Sequence, residues 1–116
     1  MEREAKEKLM SESFLRLWVD DVRPMPALYD YWCKSAIEAK KYIKDHYDKI
    51  ELISLDHDAG DYGTDYIAIL DWLDREHHKE QLPFKIRIHT GNPVGAANMR
   101  RIIQANGWEE YEDELD

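Results

Sequence analysis

The sequence has little of several features that would assign a protein to a class. Its 116 residues include one cysteine, Cys33, so an internal disulfide and a cysteine-only metal site are both excluded. No apolar run approaches the ~18 residues that a membrane-spanning helix needs, and the charged N-terminus does not resemble a signal peptide. These absences predict a soluble protein of a reducing compartment, the cytoplasm, without a membrane partner.

Positive charge is also scarce. Lysine and arginine total 16 against 25 aspartates and glutamates, which gives a formal net charge of −9. Long-range repulsion from phosphates therefore argues against a broad nucleic-acid-binding surface. A small phosphorylated ligand or an RNA end stays compatible with this charge if a cation supplies positive charge locally. Apolar residues still make up 43% of the chain, which is enough for one globular core.

Strands alternate with helices along the chain. Four apolar segments predict strands at residues 14–19, 29–33, 50–55 and 85–89. Capping residues predict the starts of three helices at Ser35, Thr64 and Asn92. Two prolines between the first two strands exclude a regular helix there. This alternation predicts an α/β fold with an open parallel sheet.

The predicted domain organisation is simple. Residues 1–13 form a flexible or frayed charged segment, and residues 14–108 form one α/β domain without internal repeats. Residues 109–116 are an acidic tail, in which a short fifth strand is one option.

Three of the four predicted strands end in titratable residues, which are Asp20-Asp21, Asp56-His57-Asp58 and His89-Thr90. Ligands of open parallel sheets bind beyond the carboxyl ends of the strands. The strand order 2-1-3-4 would place these three ends side by side. The sequence therefore predicts one shared rim of polar side chains at this end of the sheet.

Clustered carboxylates at such a rim repel one another and raise one another's pKa. A hard divalent cation relieves this repulsion, because Mg²⁺ and Ca²⁺ prefer oxygen ligands. Two neighbouring imidazoles, His57 and His89, could instead ligate Zn²⁺ or Mn²⁺, or act as acid and base near neutral pH. The repulsion also predicts that Asp20→Asn raises stability in metal-free buffer.

The helix start at Asn92 adds a site for an anion, because free backbone amides point out of a helix N-terminus. Further candidate ligand-binding residues are Arg23, Asp58, Thr90 and Asn98. Each motif alone is as often a turn or a helix cap as a functional site. The coincidence of three strand ends is what favours function.

Three segments resemble one known family. "LWVDDVRPMP", "SLDHDAGDYGTDY" and "IHTGNPVGAANM" are similar to the cyclic-phosphate processing receiver-like domains, relatives of the response-regulator receiver domain, over roughly residues 14–107. The resemblance implies a three-layer, receiver- or flavodoxin-like parallel sheet whose first helix is replaced by a loop. The family's polar positions match Asp20, Asp21, Asp56, His57, His89, Asn92 and Asn98.

The resemblance implies a metal-assisted phosphoesterase that processes cyclic phosphates of nucleotides or RNA ends. Asp20, Asp21 and Asp56 would hold the cation, with Mg²⁺ or Mn²⁺ as the first choice and Ca²⁺ or Zn²⁺ as alternatives. Asp56, His57 and His89 would form the catalytic group, with the two histidines as base and acid in an order left open.

Two alternatives remain open from the sequence. The first is a non-enzymatic receiver-like module that binds a metal, a nucleotide or a protein partner. The second keeps Asp56 as a phosphorylation site, although no apolar strand ending in lysine follows His89. The oligomeric state is not predicted.

Overall fold

The computed structural model describes residues 14–59 and 65–112. Its helices and strands are, in chain order, β1 (Leu15–Val19), β2 (Tyr31–Cys33), α1 (Ala36–Asp45), β3 (Ile50–Leu55), α2 (Ile67–Glu76), β4 (Lys85–Ile88) and α3 (Pro93–Asn106). The predicted N-terminal segment 1–13 and the predicted cap Thr64 lie outside the described residues. None of the described helices is long and apolar enough to cross a membrane.

The four described strands form one parallel sheet in the order β2-β1-β3-β4, which confirms the predicted topology. Val19 of β1 is level with Leu55 of β3, and Leu55 is level with Ile88 of β4. The residues that follow these three strands therefore share one edge of the sheet. Within the described part of the tail, residues 109–112, the optional fifth strand is represented by a single parallel bridge between Ile86 and Glu110.

Side-chain caps fix the ends of two of the helices. The Ser35 hydroxyl accepts a hydrogen bond from the Glu38 amide at 3.0 Å, so α1 begins as predicted. Asn92 caps α3 by accepting from the Gly95 amide at 3.0 Å, and Gly107 ends α3 in the left-handed region with φ 71°. The α3 start therefore has a fixed position beside the strand ends.

The two faces of the sheet are covered differently. On one face, α2 packs against α1 and α3 over the main core, to which β1 and β3 contribute Leu17, Ile53 and Leu55. On the other face, residues 21–30 cover Trp18 and Leu52 in a smaller cluster. No helix lies between β1 and β2, which confirms the loop predicted in place of the first helix.

Cys33 offers a check of this packing. Burial, and to a lesser degree the Glu38 carboxylate, raises the pKa of Cys33 well above its usual value. We expect a thiol-specific reagent at pH 8 to label Cys33 slowly in the native protein and rapidly in denaturant, because only the thiolate reacts. Labelling of the native protein at the denatured rate would contradict the buried position.

Candidate functional site

Three carboxylates meet at the carboxyl edge of the sheet. Asp20, Asp21 and Asp56 each place one oxygen within 4.8 Å of the others, with Asp20 buried and the other two half-buried. An octahedral cation held at about 2.1 Å from its ligands separates ligand oxygens by roughly 3 to 4 Å. The set therefore fits a hard divalent cation, and it brings together the three metal ligands predicted from the sequence.

Asp20 is the most constrained member of the three, with no exposed surface. Its Oδ1 accepts hydrogen bonds from the Val22 amide at 2.8 Å and the Arg23 amide at 3.0 Å. Its Oδ2 lies 2.9 Å from Nε2 of His89. One of the four acceptor positions of the carboxylate is left for a further ligand.

His89 lies inside the structure rather than on the rim. It is 8% exposed, and its ring stacks on Trp18 with centroids 3.8 Å apart. Besides the contact with Asp20, its Nδ1 lies 2.6 Å from the Ser54 hydroxyl. Burial lowers the pKa of His89, although Asp20 and Asp56 act to raise it. Both ring nitrogens are thus engaged by protein groups.

His57 belongs to a second polar group at the start of α3. Its Nδ1 lies 2.7 Å from Oδ1 of Asp58, and Asn92 Nδ2 donates to the same oxygen at 3.4 Å. The hydrogen bond from His57 is the main factor that lowers the pKa of Asp58. A Cβ atom on Gly95 would lie 2.5 Å from Cγ of His57, so the ring occupies space that only a glycine leaves open.

A cleft of about 410 Å³ opens between these two groups. Its lining residues are Asp20, Val22, Arg23, Asp56, Asp58, Thr90, Gly91 and Asn92. Arg23 is the basic residue of this lining, and its Nη1 donates to the His89 carbonyl at 3.0 Å. Thr90 Oγ1 accepts from the Asn92 amide at 3.1 Å. The predicted ligand-binding residues Arg23, Asp58, Thr90 and Asn92 therefore share one cleft.

Some predicted residues are not part of this cleft. Neither His57 nor His89 lines it. Asn98 also lies apart, nearly two turns beyond Asn92 along α3, where its Oδ1 accepts from Arg101 at 2.9 Å. Their predicted roles as catalytic or ligand-binding residues stay predictions.

Sequence reasoning missed two buried polar residues behind the site. Ser54 holds His89, and the Arg87 guanidinium donates to the Ser54 hydroxyl at 3.4 Å. Both stand inside apolar strand segments, and they are level with each other across β3 and β4. A polar residue at the same register position of two adjacent buried strands is the signal that would have found them.

Comparison with known proteins assigns the fold and then the family. A chain of the crystal structure of the CheX-CheY-BeF3-Mg+2 complex from Borrelia burgdorferi matches with a TM-score of 0.57 and 17% identity, over 89% of this chain and 80% of that one. The receiver domain of NtrX from Brucella abortus matches with a TM-score of 0.57 and 22% identity, over 87% of each chain. The fold is thus that of a receiver domain.

The sequence also matches the family model described as the cyclic-phosphate processing receiver domain, over residues 15–105. The chain belongs to this family. No curated protein matches the sequence.

The geometry of Asp20 reverses the stability effect expected from charge repulsion alone. In Asp20→Asn, an amide N–H₂ would replace the carboxylate oxygen that accepts from Nε2–H of His89, and two donors would face each other. We therefore expect a loss of about 1–3 kcal/mol in the free energy of unfolding. Asp21 is the matched control, because it is half-buried and no hydrogen bond to its side chain occurs among the described residues. We expect Asp21→Asn to leave stability unchanged or slightly raised. Thermal melts in the presence of a chelator test both, and a stabilised Asp20→Asn would contradict the burial of this carboxylate.

The close contact between His57 and Gly95 predicts that Gly95→Ala changes stability in opposite directions in the wild type and in a His57→Ala variant. In the wild type, Gly95→Ala should destabilise the protein, because the new Cβ would overlap the imidazole. In a His57→Ala background the space is free, and Gly95→Ala should be neutral or stabilise by up to about 1 kcal/mol, since alanine favours helix. Denaturant unfolding of the four proteins measures the coupling. Additive effects would mean that the ring does not lie against α3.

Proposed function

We propose that the protein is a metal-assisted phosphoesterase that opens cyclic phosphates of nucleotides or RNA ends. One observation carries the proposal: three carboxylates lie within 4.8 Å of one another beside a cleft, in a family described by cyclic-phosphate processing. Three carboxylates and one guanidinium line this cleft, with the Asp21 carboxylate close to two of them, so a phosphate would be repelled without a cation.

Asp20, Asp21 and Asp56 would hold the cation. When bound there, the cation would polarise a phosphoryl oxygen and offset the negative charge of the substrate. The all-oxygen ligand set favours Mg²⁺ or Mn²⁺ over Zn²⁺, which usually takes histidine or cysteine ligands. The Mg²⁺ named in the Borrelia complex, whose fold this chain shares, also supports this choice.

The other lining residues would bind the phosphate. Arg23 keeps donors beyond the one used by the His89 carbonyl, and a guanidinium matches two phosphate oxygens. The Thr90 hydroxyl and the Asn92 amide lie at the start of α3, on the same side of the cleft. Asp58 would orient His57 rather than contact the anion, since like charges repel.

His57 would handle the proton of the attacking water. With Nδ1–H donated to the Asp58 carboxylate, Nε2 carries the lone pair, and it has no partner among the described residues. Water would form the new P–O bond while Nε2 takes its proton, and the bond from phosphorus to one ribose oxygen would break. That oxygen would take a proton from solvent in the open cleft, and His57 would release its proton to solvent.

A binding module remains the second candidate. Two observations favour it: neither histidine lines the cleft, and both nitrogens of His89 are engaged. Such a module would use the same carboxylates for a cation and the same cleft for a nucleotide, without turnover. Activity, and not binding, separates the two functions.

The test is turnover of defined cyclic phosphates. We expect the protein with Mg²⁺ or Mn²⁺ to open a 2′,3′-cyclic mononucleotide, a cyclic-phosphate-ended RNA or ADP-ribose 1″,2″-cyclic phosphate. His57→Gln should lower kcat by about 10²- to 10⁴-fold with little change in KM, because general base catalysis acts on the transition state.

His78→Gln is the matched control, because His78 also pairs with a carboxylate, that of Asp74 at 2.8 Å, but on the exposed end of α2. It should keep full activity. If no substrate is opened with any cation, the binding module is the better description. If His57→Gln keeps the wild-type rate, His57 is not the general base and its proposed role is wrong.

A further inference from the structure

We propose that His89 is a positioning residue for Asp20, held with its proton on Nε2 by Ser54 and Arg87, and that it does not transfer protons in the reaction. The inference rests on the proposed function only in assigning Asp20 to the cation. It concerns a hydrogen-bonded chain that runs behind the cleft from β4 through β3 to the end of β1.

The strand register brings the members of this hydrogen-bonded chain together. Arg87 of β4 is level with Ser54 of β3, and Ser54 is level with Trp18 of β1. His89 follows Arg87 by two residues, so it lies on the same face of the sheet. The contacts are 3.4 Å from Arg87 Nη1 to the Ser54 hydroxyl, 2.6 Å from that hydroxyl to His89 Nδ1, and 2.9 Å from His89 Nε2 to Asp20.

The ends of this hydrogen-bonded chain place a proton on Nε2 of His89. Arginine can only donate, and an ionised carboxylate can only accept. Arg87 therefore donates to the Ser54 oxygen, and His89 Nε2–H donates to Asp20. Because His89 is buried, a second ring proton and its charge are disfavoured, so the Ser54 hydroxyl donates to Nδ1. Every polar atom in this order has a partner, so His89 is satisfied with one ring proton.

The enclosure of His89 argues against proton transfer to a substrate. Its ring stacks on Trp18 at 5° between planes, and the Trp18 indole donates to the Arg23 carbonyl at 3.0 Å. A general acid needs a nitrogen within reach of the leaving oxygen, and both nitrogens of His89 are already bonded within the protein. What the contact does fix is the orientation of the Asp20 carboxylate, whose remaining acceptor position would face a cation.

The first experiment reads the proton position in the metal-free protein. Nitrogen-15 spectra of the His89 ring at pH 7.5, assigned with His89→Gln, should show a proton on Nε2 and a bare Nδ1. A proton on Nδ1, or on both nitrogens, would overturn the proposed order. This measurement does not depend on turnover.

The second experiment compares cation affinity by calorimetric titration with Mn²⁺ and Mg²⁺. His89→Leu and Ser54→Ala should weaken binding by about 10- to 100-fold, as expected when groups behind a metal ligand are removed. His89→Gln should stay within a few-fold of wild type, because its amide can still donate to Asp20. Ile53→Val is the control, since Ile53 is a buried neighbour of Ser54 on the opposite face of β3.

Outcomes separate this inference from the proposed function. If His89→Gln keeps both cation affinity and kcat, the positioning role is supported; if it keeps affinity but loses kcat by about 10²-fold or more, His89 transfers a proton and the inference is wrong. Wild-type cation affinity in Ser54→Ala would also overturn the inference. Because Ser54→Ala removes only one oxygen, it keeps the test available if His89→Leu does not fold. If the wild type binds a cation but shows no turnover, the proposed phosphoesterase function is wrong and the positioning role of His89 is unaffected.

Discussion

A carboxylate without exposed surface, that of Asp20, is the constraint on which the rest of the structure depends. Burying an ionised group is costly unless hydrogen bonds and charges compensate for lost water. Here the compensation comes from three donors in two segments: two loop amides, at Val22 and Arg23, and the ring of His89. The carboxylate therefore fixes the turn after β1 and ties the end of β4 to the centre of the sheet.

The same constraint explains how a loop can replace a helix on the second face of the sheet. Once Asp20 holds the amides of Val22 and Arg23, the chain turns back over Trp18, whose indole donates to the Arg23 carbonyl. Trp32 fixes the other side of the loop by donating to the Asp20 carbonyl at 2.6 Å. The same loop conformation thus covers the sheet and brings Arg23 to the cleft.

How much of the fold and site could be predicted depends on whether each sequence signal is local or joins residues far apart in the chain. Capping residues and strand ends are local signals, so Ser35, Asn92 and the shared rim could be predicted from the sequence. The partners of His89 could not, because Ser54 and Arg87 sit in apolar runs and meet only through strand register. The position of His89 after a strand predicts that it faces the rim, whereas its stacking on Trp18 directs it inward. Asn98 shows the same limit, since nearly two helical turns separate it from Asn92 of the cleft lining.

The charge of the cleft also bears on the alternative in which Asp56 is phosphorylated. A phosphoryl group on Asp56 would add charge beside Asp20 and Asp21, and Arg23 is the basic residue of the described lining. After β4 the described chain returns to the sheet only as the bridge at Glu110, whose carboxylate is paired with Arg100 at 2.7 Å. No lysine reaches the cleft lining from that segment, so the described residues offer little to stabilise a covalent phosphate. A cation at Asp20 and Asp21 would offset the charge of a phosphorylated Asp56 as well as that of a bound phosphate, so the missing lysine is the observation that separates the two, and it is consistent with the proposed binding of a cyclic phosphate.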